Sequence, residues 1–420
     1  MLEEFREDIH HCLKCGACRI AWPSGEPICP SGLKFGFDSH YALGRVEIAR
    51  HVLEGSLALN AEVLDRVYTC TACGACDSLC LPAVGVGPLK IIEALKIEGV
   101  ESGLIPPAIR DYLKGMLVHG NPYRQPQSER GRWSEGLELE PYQGQDYLFY
   151  VGCVGSYDDR GRRIARAWAV LLKALGISFG VLGREEGCDG HEVLRVGERG
   201  LFEKLARANI EKFQARGVKK IITFTPHALY AFEKEYPALG GVFEAEHAGR
   251  ILARRSQADG FKLRPAVNAD LAFEVNLAVR CVRQAKKEGR GSPDLKCGLV
   301  TYHDPCFLGR RLGEYESPRW ILSDLLGLEL REMENNRESA LCCGGGGGNF
   351  FTDVLGGGSR SPARARVRQA METGAETLVT ACPNCARMLE DAVKAEGLEE
   401  ALEVLDLAEI VLRNLALNQG

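Results

Sequence analysis

Cysteine spacing constrains this chain more than any other feature. Seventeen cysteines are spread over 420 residues, and two runs near the start hold them at two-residue gaps. The run CLKCGAC supplies Cys12, Cys15 and Cys18, followed by Cys29-Pro30, and CTACGACDSLC supplies Cys70, Cys73, Cys76 and Cys80. A secreted disulfide scaffold is usually small, and this chain is not. Its start, MLEEFREDIHHC, has no basic-then-apolar export signal. Clustered thiols in a reducing compartment more often hold metal, and the spacing selects which.

Gaps of two residues let three thiolates wrap one corner-rich iron–sulfur cube. Paired zinc knuckles are the rival reading, although three cysteines in tandem suit iron–sulfur better than tetrahedral zinc. In two-cluster ferredoxins the fourth cysteine of each run ligates the other cluster. That rule assigns Cys12, Cys15, Cys18 and Cys80 to one cubane 4Fe–4S cluster, and Cys70, Cys73, Cys76 and Cys29 to a second. The run departs from the bacterial pattern in the longer gap between Cys18 and Cys29, and in Leu81 standing between Cys80 and Pro82. Neither change removes a ligand. The intervening HYALGRVEIARHVLEGSLALNAEVLDRVYTC carries helical apolar spacing, so residues 1–100 read as a helical ferredoxin-type domain.

Residues 101–145 turn loop-like, rich in Pro, Gly and charge, and read as a linker whose arginines are solvated. Beyond them DYLFYVGC suits a buried strand and RRIARAWAVLLKALG an amphipathic helix, and strand and helix alternate from there, as in parallel α/β layers. Two stretches repeat at a near-constant offset. GVKKIITFTPHA matches GAETLVTACPNC, VGCVG matches HDPCFLG, and Gly187-Cys188 stands against Cys342-Cys343. The fold class is therefore α+β and multidomain: a helical dicluster domain, then duplicated α/β domains at 146–260 and 296–418, with a second linker at 261–295. The later copy holds Cys306, Cys342, Cys343, Cys382 and Cys385. The earlier keeps only Cys153 and Cys188, with Thr225 and Ala228 in place of Cys382 and Cys385.

The pattern C-x(n)-CCG-x(m)-C-x2-C resembles the cysteine-rich CCG domain. With two ferredoxin-type motifs ahead of two such domains, nearly the whole chain resembles the catalytic subunit of heterodisulfide reductase and its relatives. Those relatives include iron–sulfur subunits of lactate and glycolate oxidation, of a sulfite-reduction membrane complex and of benzoyl-coenzyme A reductase. The resemblance implies that Cys306, Cys342, Cys343, Cys382 and Cys385 bind a noncubane 4Fe–4S cluster. Gly344, Gly345 and Gly346 would then let backbone N–H groups close on its sulfides. A flexible glycine linker, a vicinal disulfide and a zinc site are the alternatives. His303-Asp304 beside Cys306 either supplies a proton or orders a turn. Chemistry would centre on Cys306, Cys342, Cys343 and His303. Cys153, Cys188, Cys281 and Cys297 read as small buried hydrophobes, and Arg360, Arg364, Arg366 and Arg368 as a solvated helix face, with a surface for an anionic substrate or partner as the alternative.

Three clusters in one chain make a wire, and no motif supplies a flavin or nicotinamide site: GVLGREEG lacks the G-x-G-x-x-G form. Electrons would therefore enter from a partner, which the resemblance makes a flavoprotein, iron–sulfur or membrane cytochrome subunit. A net charge of −5 argues against nucleic acid or an anionic membrane surface. No apolar run is long enough to span a bilayer, so the expected location is cytoplasmic, with any membrane attachment through a partner. An electron-relay subunit and a disulfide-type reductase are the two readings, and the emptied first copy favours the relay. The three cysteine sets predict about twelve irons per chain. Metal and sulfide analysis of anaerobically purified protein checks this, and stoichiometric zinc, or iron near about eight, would remove the third cluster.

Overall fold

Helices dominate the N-terminal part because apolar residues recur at helical spacing between punctuating glycines and prolines. In the computed structural model, which describes residues 1–21, 24–259 and 298–417, the helices are α1 (Arg6–His11), α2 (Pro30–Phe35), α3 (Ala42–Leu53), α4 (Ala61–Tyr68), α5 (Ala75–Val84) and α6 (Pro88–Glu101). Asn60 caps α4, its side-chain oxygen accepting the Val63 N–H at 3.0 Å. Pro88 opens α6, where its missing N–H donor leaves no bond unmade. Helix α6 packs on α3 and α4, burying Val46, Leu64, Val67, Ile91 and Leu95 to 1% exposure or less. This bundle carries both cysteine runs. The segment expected as the linker 261–295, together with Cys281 and Cys297, lies outside the described residues.

The stretch 101–145 is not a solvated linker throughout. It forms α7 (Pro107–His119) and sends Ile109, Met116, Arg130 and Trp133 into the interior. Arg124 and Arg132 remain exposed as expected, but Arg130 is 0% exposed. Its physical reason, a buried carboxylate partner, belongs to the site below.

Two four-stranded parallel sheets follow, each with the same strand order. The first holds β1 (Tyr147–Tyr150), β2 (Phe179–Gly180), β3 (Lys220–Thr223) and β4 (Glu244–His247) in the order β2-β1-β3-β4. Around it lie α8 (Gly152–Tyr157), α9 (Asp159–Ala174), α10 (His191–Arg195), α11 (Arg199–Ala215), α12 (Pro226–Tyr230) and α13 (Ala248–Asp259). The second has β5 (Leu299–His303), β6 (Glu329–Leu330), β7 (Thr377–Thr380) and β8 (Glu403–Asp406) in the order β6-β5-β7-β8. Its helices are α14 (Glu316–Trp320), α15 (Asn349–Thr352), α16 (Pro362–Glu372), α17 (Pro383–Glu396) and α18 (Leu407–Leu417). Strand register repeats too: Tyr150 pairs with Thr223 as His303 pairs with Thr380. All-parallel sheets bury both faces, which fits apolar strands such as YLFY.

In this strand order the chain leaves the first and third strands of each sheet in opposite directions. That opens a crevice at their C-terminal ends, where open α/β sheets bind ligands. Cys306 follows β5 directly and Cys382 follows β7, so the sheet itself converges distant cysteines. Cys153 and Thr225 occupy the corresponding ends of β1 and β3.

The two α/β units pack through α9, α17 and α18. Arg160, 4% exposed, crosses this seam. Its guanidinium meets both oxygens of Glu409, Glu390 at 3.2 Å and the Val404 carbonyl at 3.2 Å. Arg160→Ala would leave Glu390 and Glu409 of the second unit together at the seam without their counter-charge, at a cost of about 2–3 kcal/mol. Arg132→Ala, whose partners are exposed, would stay within about 0.5 kcal/mol. Denaturant unfolding under anaerobic conditions measures the contrast.

Candidate metal centres

In each two-residue-gap run, the residues flanking the middle cysteine adopt a left-handed backbone. They are Lys14 and Gly16 around Cys15 (φ 55° and 74°) and Ala72 and Gly74 around Cys73 (φ 54° and 74°). Lys14 and Ala72 carry a Cβ, so that conformation costs each roughly 1–2 kcal/mol. Strain of this kind persists where the surroundings over-determine it, as at ligand sites. The two loops are thus the same device built twice.

Each loop turns its thiols into a cavity. Cys12, Cys15, Cys18 and Cys80 line one, walled by Leu43, Val46 and Val84. Cys29, Cys70, Cys73 and Cys76 line the other, with Arg45, Leu89 and Ile92. The fold therefore gathers the two sets of four that the sequence spacing grouped. Burial pushes the Cys18 and Cys29 thiols up to about 11, so neither becomes a thiolate without a cation to offset the charge. Four soft sulfurs in an apolar wall fit an iron–sulfur cluster. At the second cavity, buried cations grip the frame. The Arg45 guanidinium donates to Ser31, Thr69 and the carbonyls of His40 and Arg66 at 2.7–3.1 Å. Lys96 donates to the Cys70 carbonyl at 2.8 Å, and Arg310 to that of Cys73 at 3.2 Å.

The third site lies at the crevice between β5 and β7. Cys306, Cys342, Cys343, Cys382 and Cys385 are all 5% exposed or less. Their thiols form one contact chain. Cys306 lies 3.7 Å from Cys342 and Cys343 lies 3.4 Å from Cys385, while Cys342 touches Cys343 and Cys385 touches Cys382. Interaction with the same Cys342 thiol pulls the Cys73 thiol of the second cavity down to about 5. Contacts from Cys342 and Cys385, then His303, hold Cys343 well below the usual thiol range. Cys342 and Cys343 are free thiols rather than a vicinal disulfide.

The glycine run 344–348 is buried throughout, so it is no flexible linker. Gly344 donates its N–H to the Cys342 sulfur at 3.3 Å. A Cβ on Gly346 would stand 2.5 Å from the Thr71 carbonyl, and one on Gly347 2.4 Å from that of Cys70. Gly346 thus faces the second cysteine loop, and only Gly344 and Gly345 lie against the five-thiol site. Side-chain-free backbone is required here for the loops to meet.

His303 is fully buried, and its ligand nitrogen falls within 4.8 Å of the Cys343 and Cys385 sulfurs. Its Nδ1 accepts from Arg366 Nε at 3.1 Å. Arg366, expected on a solvated face, is 0% exposed and also donates to the Asn335 carbonyl at 2.7 Å. A guanidinium is tolerated in an interior when anionic groups lie nearby, and here Asp304 and Glu332 do. Arg360 and Arg368 are exposed as expected, and Arg364 pairs with Glu396. Asp304 orders a turn, holding Arg319 through two bonds of 2.7 and 2.9 Å and accepting the Arg337 N–H at 2.8 Å.

The twin crevice is filled differently. The Arg130 guanidinium lies 3.5 Å from the Cys153 sulfur, 3.0 Å from Glu186 and 2.7 Å from the Gly187 carbonyl. The local geometry also revises the repeat register. Gly190 donates to the Cys188 sulfur at 3.4 Å, just as Gly344 does to Cys342, and both glycines are left-handed. Cys188 therefore corresponds to Cys342, and Asp189 to Cys343. The doubled cysteine makes Cys343 the natural match in sequence, but the turn fixes the pairing one position earlier. Tyr150, at the place of His303, reaches Asp189 at 3.3 Å, which repeats the His303–Cys343 relation in other chemistry.

Comparison with known proteins agrees with this architecture. A 4Fe-4S dicluster domain model matches residues 8–83, and a cysteine-rich domain model matches 147–233 and again 300–390. The chain is built from a 4Fe-4S dicluster domain and two cysteine-rich domains, and along nearly its whole length it is similar to iron–sulfur oxidoreductases. Among its relatives is a dihydromethanophenazine:CoB–CoM heterodisulfide reductase subunit of Methanosarcina barkeri, 29% identical, with 98% of this chain and 95% of that one aligned. The EtfAB:quinone oxidoreductase of Syntrophomonas wolfei is 31% identical over 96% of this chain and 58% of its own length. The probable iron-sulfur-binding oxidoreductase FadF of Bacillus subtilis is 28% identical over 99% and 61%. The chain thus spans about three-fifths of the latter two relatives. Among its described residues no helix is long and apolar enough to cross a membrane.

Sequence reasoning missed Arg130, Arg310, Arg366 and Lys96, because an arginine in a charged stretch carries no mark of burial. With Arg130 in the twin crevice and Thr225 and Ala228 offering no soft ligand, the double variant Cys153→Ser/Cys188→Ser is expected to keep its full iron content and cluster spectra. Loss of a cluster from that variant, measured by iron analysis and paramagnetic resonance, would place a metal there.

Proposed function

We propose that this chain is an electron-relaying subunit of a larger redox assembly, holding two cubane 4Fe–4S clusters on the two four-cysteine sets and a noncubane 4Fe–4S cluster on the five. When bound, those clusters supply one-electron chemistry at tunable potential. The observation that carries the reading is the close fit of the second site to the third: the glycine run after Cys343 lies directly on the Cys70 and Thr71 carbonyls, and Arg310 ties the Cys73 carbonyl to that of Ala340. Exposure falls in the same order. Cys15 is exposed, the second set is partly covered, and the five cysteines of the third are enclosed.

The chain's own residues support such a path. Leu13, 67% exposed beside Cys12, and Leu81, 49% exposed beside Cys80, leave an apolar rim at the outer site, suited to a redox partner. Arg45, Lys96, Arg310 and Arg366 place positive charge around the inner two sites, which favours added electrons. Arg310 also holds the Cys73 loop to the Glu338 and Ala340 carbonyls, fixing the distance between sites. The partner that feeds the outer site would be a flavoprotein, iron–sulfur or membrane cytochrome subunit, the last giving peripheral membrane association.

A disulfide-type reductase is the second reading, favoured by the near-full-length match to a protein named as a heterodisulfide reductase component. The Arg130–Glu186 pair in the twin crevice leaves one five-cysteine site rather than two, and that weighs toward the relay. Replacing Cys343 by Ser tests both. A hard hydroxyl in place of a soft thiolate would lose or distort the third cluster, while the cubane sets keep their ligands. Under the relay reading, a donor would still reduce the cubane sites, and transfer to the terminal acceptor would fall by at least about tenfold. Under the reductase reading, wild-type protein would also show a thiol-dependent change in its paramagnetic spectrum. Wild-type transfer in Cys343→Ser would make the five-cysteine set structural.

A further inference from the structure

Where the emptied domain meets the five-cysteine domain, four titratable side chains are buried and poorly partnered. His191, Glu192, His227 and Glu235 are 0%, 9%, 8% and 9% exposed. Both ring nitrogens of His191, Oε1 of Glu192 and Oε2 of Glu235 have no hydrogen-bond partner among the described residues. His191 Nδ1 stands 3.4 Å from Glu235 Oε2, and His227 Nε2 stands 3.9 Å from Glu192 Oε1. The two imidazoles lie 5.4 Å apart, and both press on the ring of Phe307, the neighbour of Cys306, at 4.5 and 4.7 Å. The other oxygen of Glu192 accepts the N–H of Gly348, at the end of the glycine run, at 2.6 Å. Such orphaned groups are costly in a purely structural role. Proton exchange between two states gives them a use.

We propose that Glu192, with His227 as its positioning partner, takes up a proton when the five-cysteine site is reduced. The proposal rests on that site holding a redox cluster. For each electron delivered by the donor, one proton from solvent converts the Glu192 carboxylate to a carboxylic acid, and reoxidation returns it. Neutral His227 presents Nε2, 3.9 Å away, as the acceptor the new O–H turns toward. The physical reason is charge: an electron added in a low-dielectric interior raises the affinity of neighbouring acids for protons. Burial already lifts Glu192 to about 7, against the Gly348 N–H, Arg195 and Lys96, with Asp189 adding to the rise. His227 is held neutral, down to about 3, by burial and by His191 and Arg195, against Cys343 and Glu235. Arg195 is neutralised by Glu235 at 2.5 Å and by Glu93, and Arg311 by Asp77 at 3.4 Å, while Lys96 is spent on the Cys70 and Arg195 carbonyls.

The test is a redox titration of the cluster-loaded full chain with dithionite as reductant, at several pH values, followed by paramagnetic resonance. Below about pH 7 the acid is protonated in both states, and the midpoint of the third site is flat. Above it, reduction takes up a proton, and the midpoint falls as pH rises. Glu192→Gln, with iron content confirmed as wild type, is expected to lose that slope, and His227→Asn to weaken it. Redox-difference infrared spectroscopy of the wild type needs no variant and should show a protonated-carboxyl band appearing on reduction. A flat wild-type midpoint, a slope kept in Glu192→Gln, or absence of the band would overturn the proposal. If no third paramagnetic site appears at all, the cluster assignment itself falls and takes this inference with it.

Discussion

Backbone lying on backbone is the contact the rest of this molecule depends on. Gly346 and Gly347 sit so close to the carbonyls of Thr71 and Cys70 that even a methyl group would overlap. A well-packed site rarely absorbs such an insertion for less than about 1–3 kcal/mol. Because the two loops meet without side chains, Cys73 lies near enough to Cys342 to feel its thiol, and a helical module and an α/β module share one sulfur-lined interior. Separate domains joined by a polar interface would not place their thiols this way.

That contact creates an electrostatic problem, which the surrounding cations answer. Many thiolates in a dry interior repel one another, and water cannot screen them. Arg45, Lys96, Arg310 and Arg366 approach from four different elements, directing their donors to backbone carbonyls, to neutral side chains such as Ser31, Thr69 and Gln369, and to His303. Their positions are held by the frame rather than by carboxylates, so their charge is left for the sulfur sites. Near the surface the same residue types pair conventionally with acids, as Arg364 does with Glu396 and Arg132 with Glu129.

Much of this was legible in the sequence, because cysteine spacing and strand patterning are local. The helical spacing of HYALGRVEIARHVLEGSLALN, the strands YLFY and TLVT, and the repeat of the α/β unit all emerge from short-range rules. What escaped is long-range. Nothing in QSERGRWS distinguishes Arg130 from exposed Arg132, because the difference is a carboxylate on Glu186, far along the chain. Arg366 escaped for the same reason: its helix carries several nearby arginines, and only the third dimension shows which one turns inward. The repeat register shifts by one position because a doubled cysteine offers two matches, and only the shared Gly–sulfur turn chooses between them.

The filling of the twin crevice has a consequence for how such a chain can change over generations. Its plug, Arg130, is borrowed from the segment between domains, while the crevice belongs to the β1–β3 edge. Container and contents therefore lie on different stretches of the gene. A substitution at Arg130 alone can empty the crevice without changing a residue of either strand that forms it. Vacancy in one repeat is then a tunable trait, which leaves the duplicated scaffold free to be refitted for another ligand while its sibling keeps working.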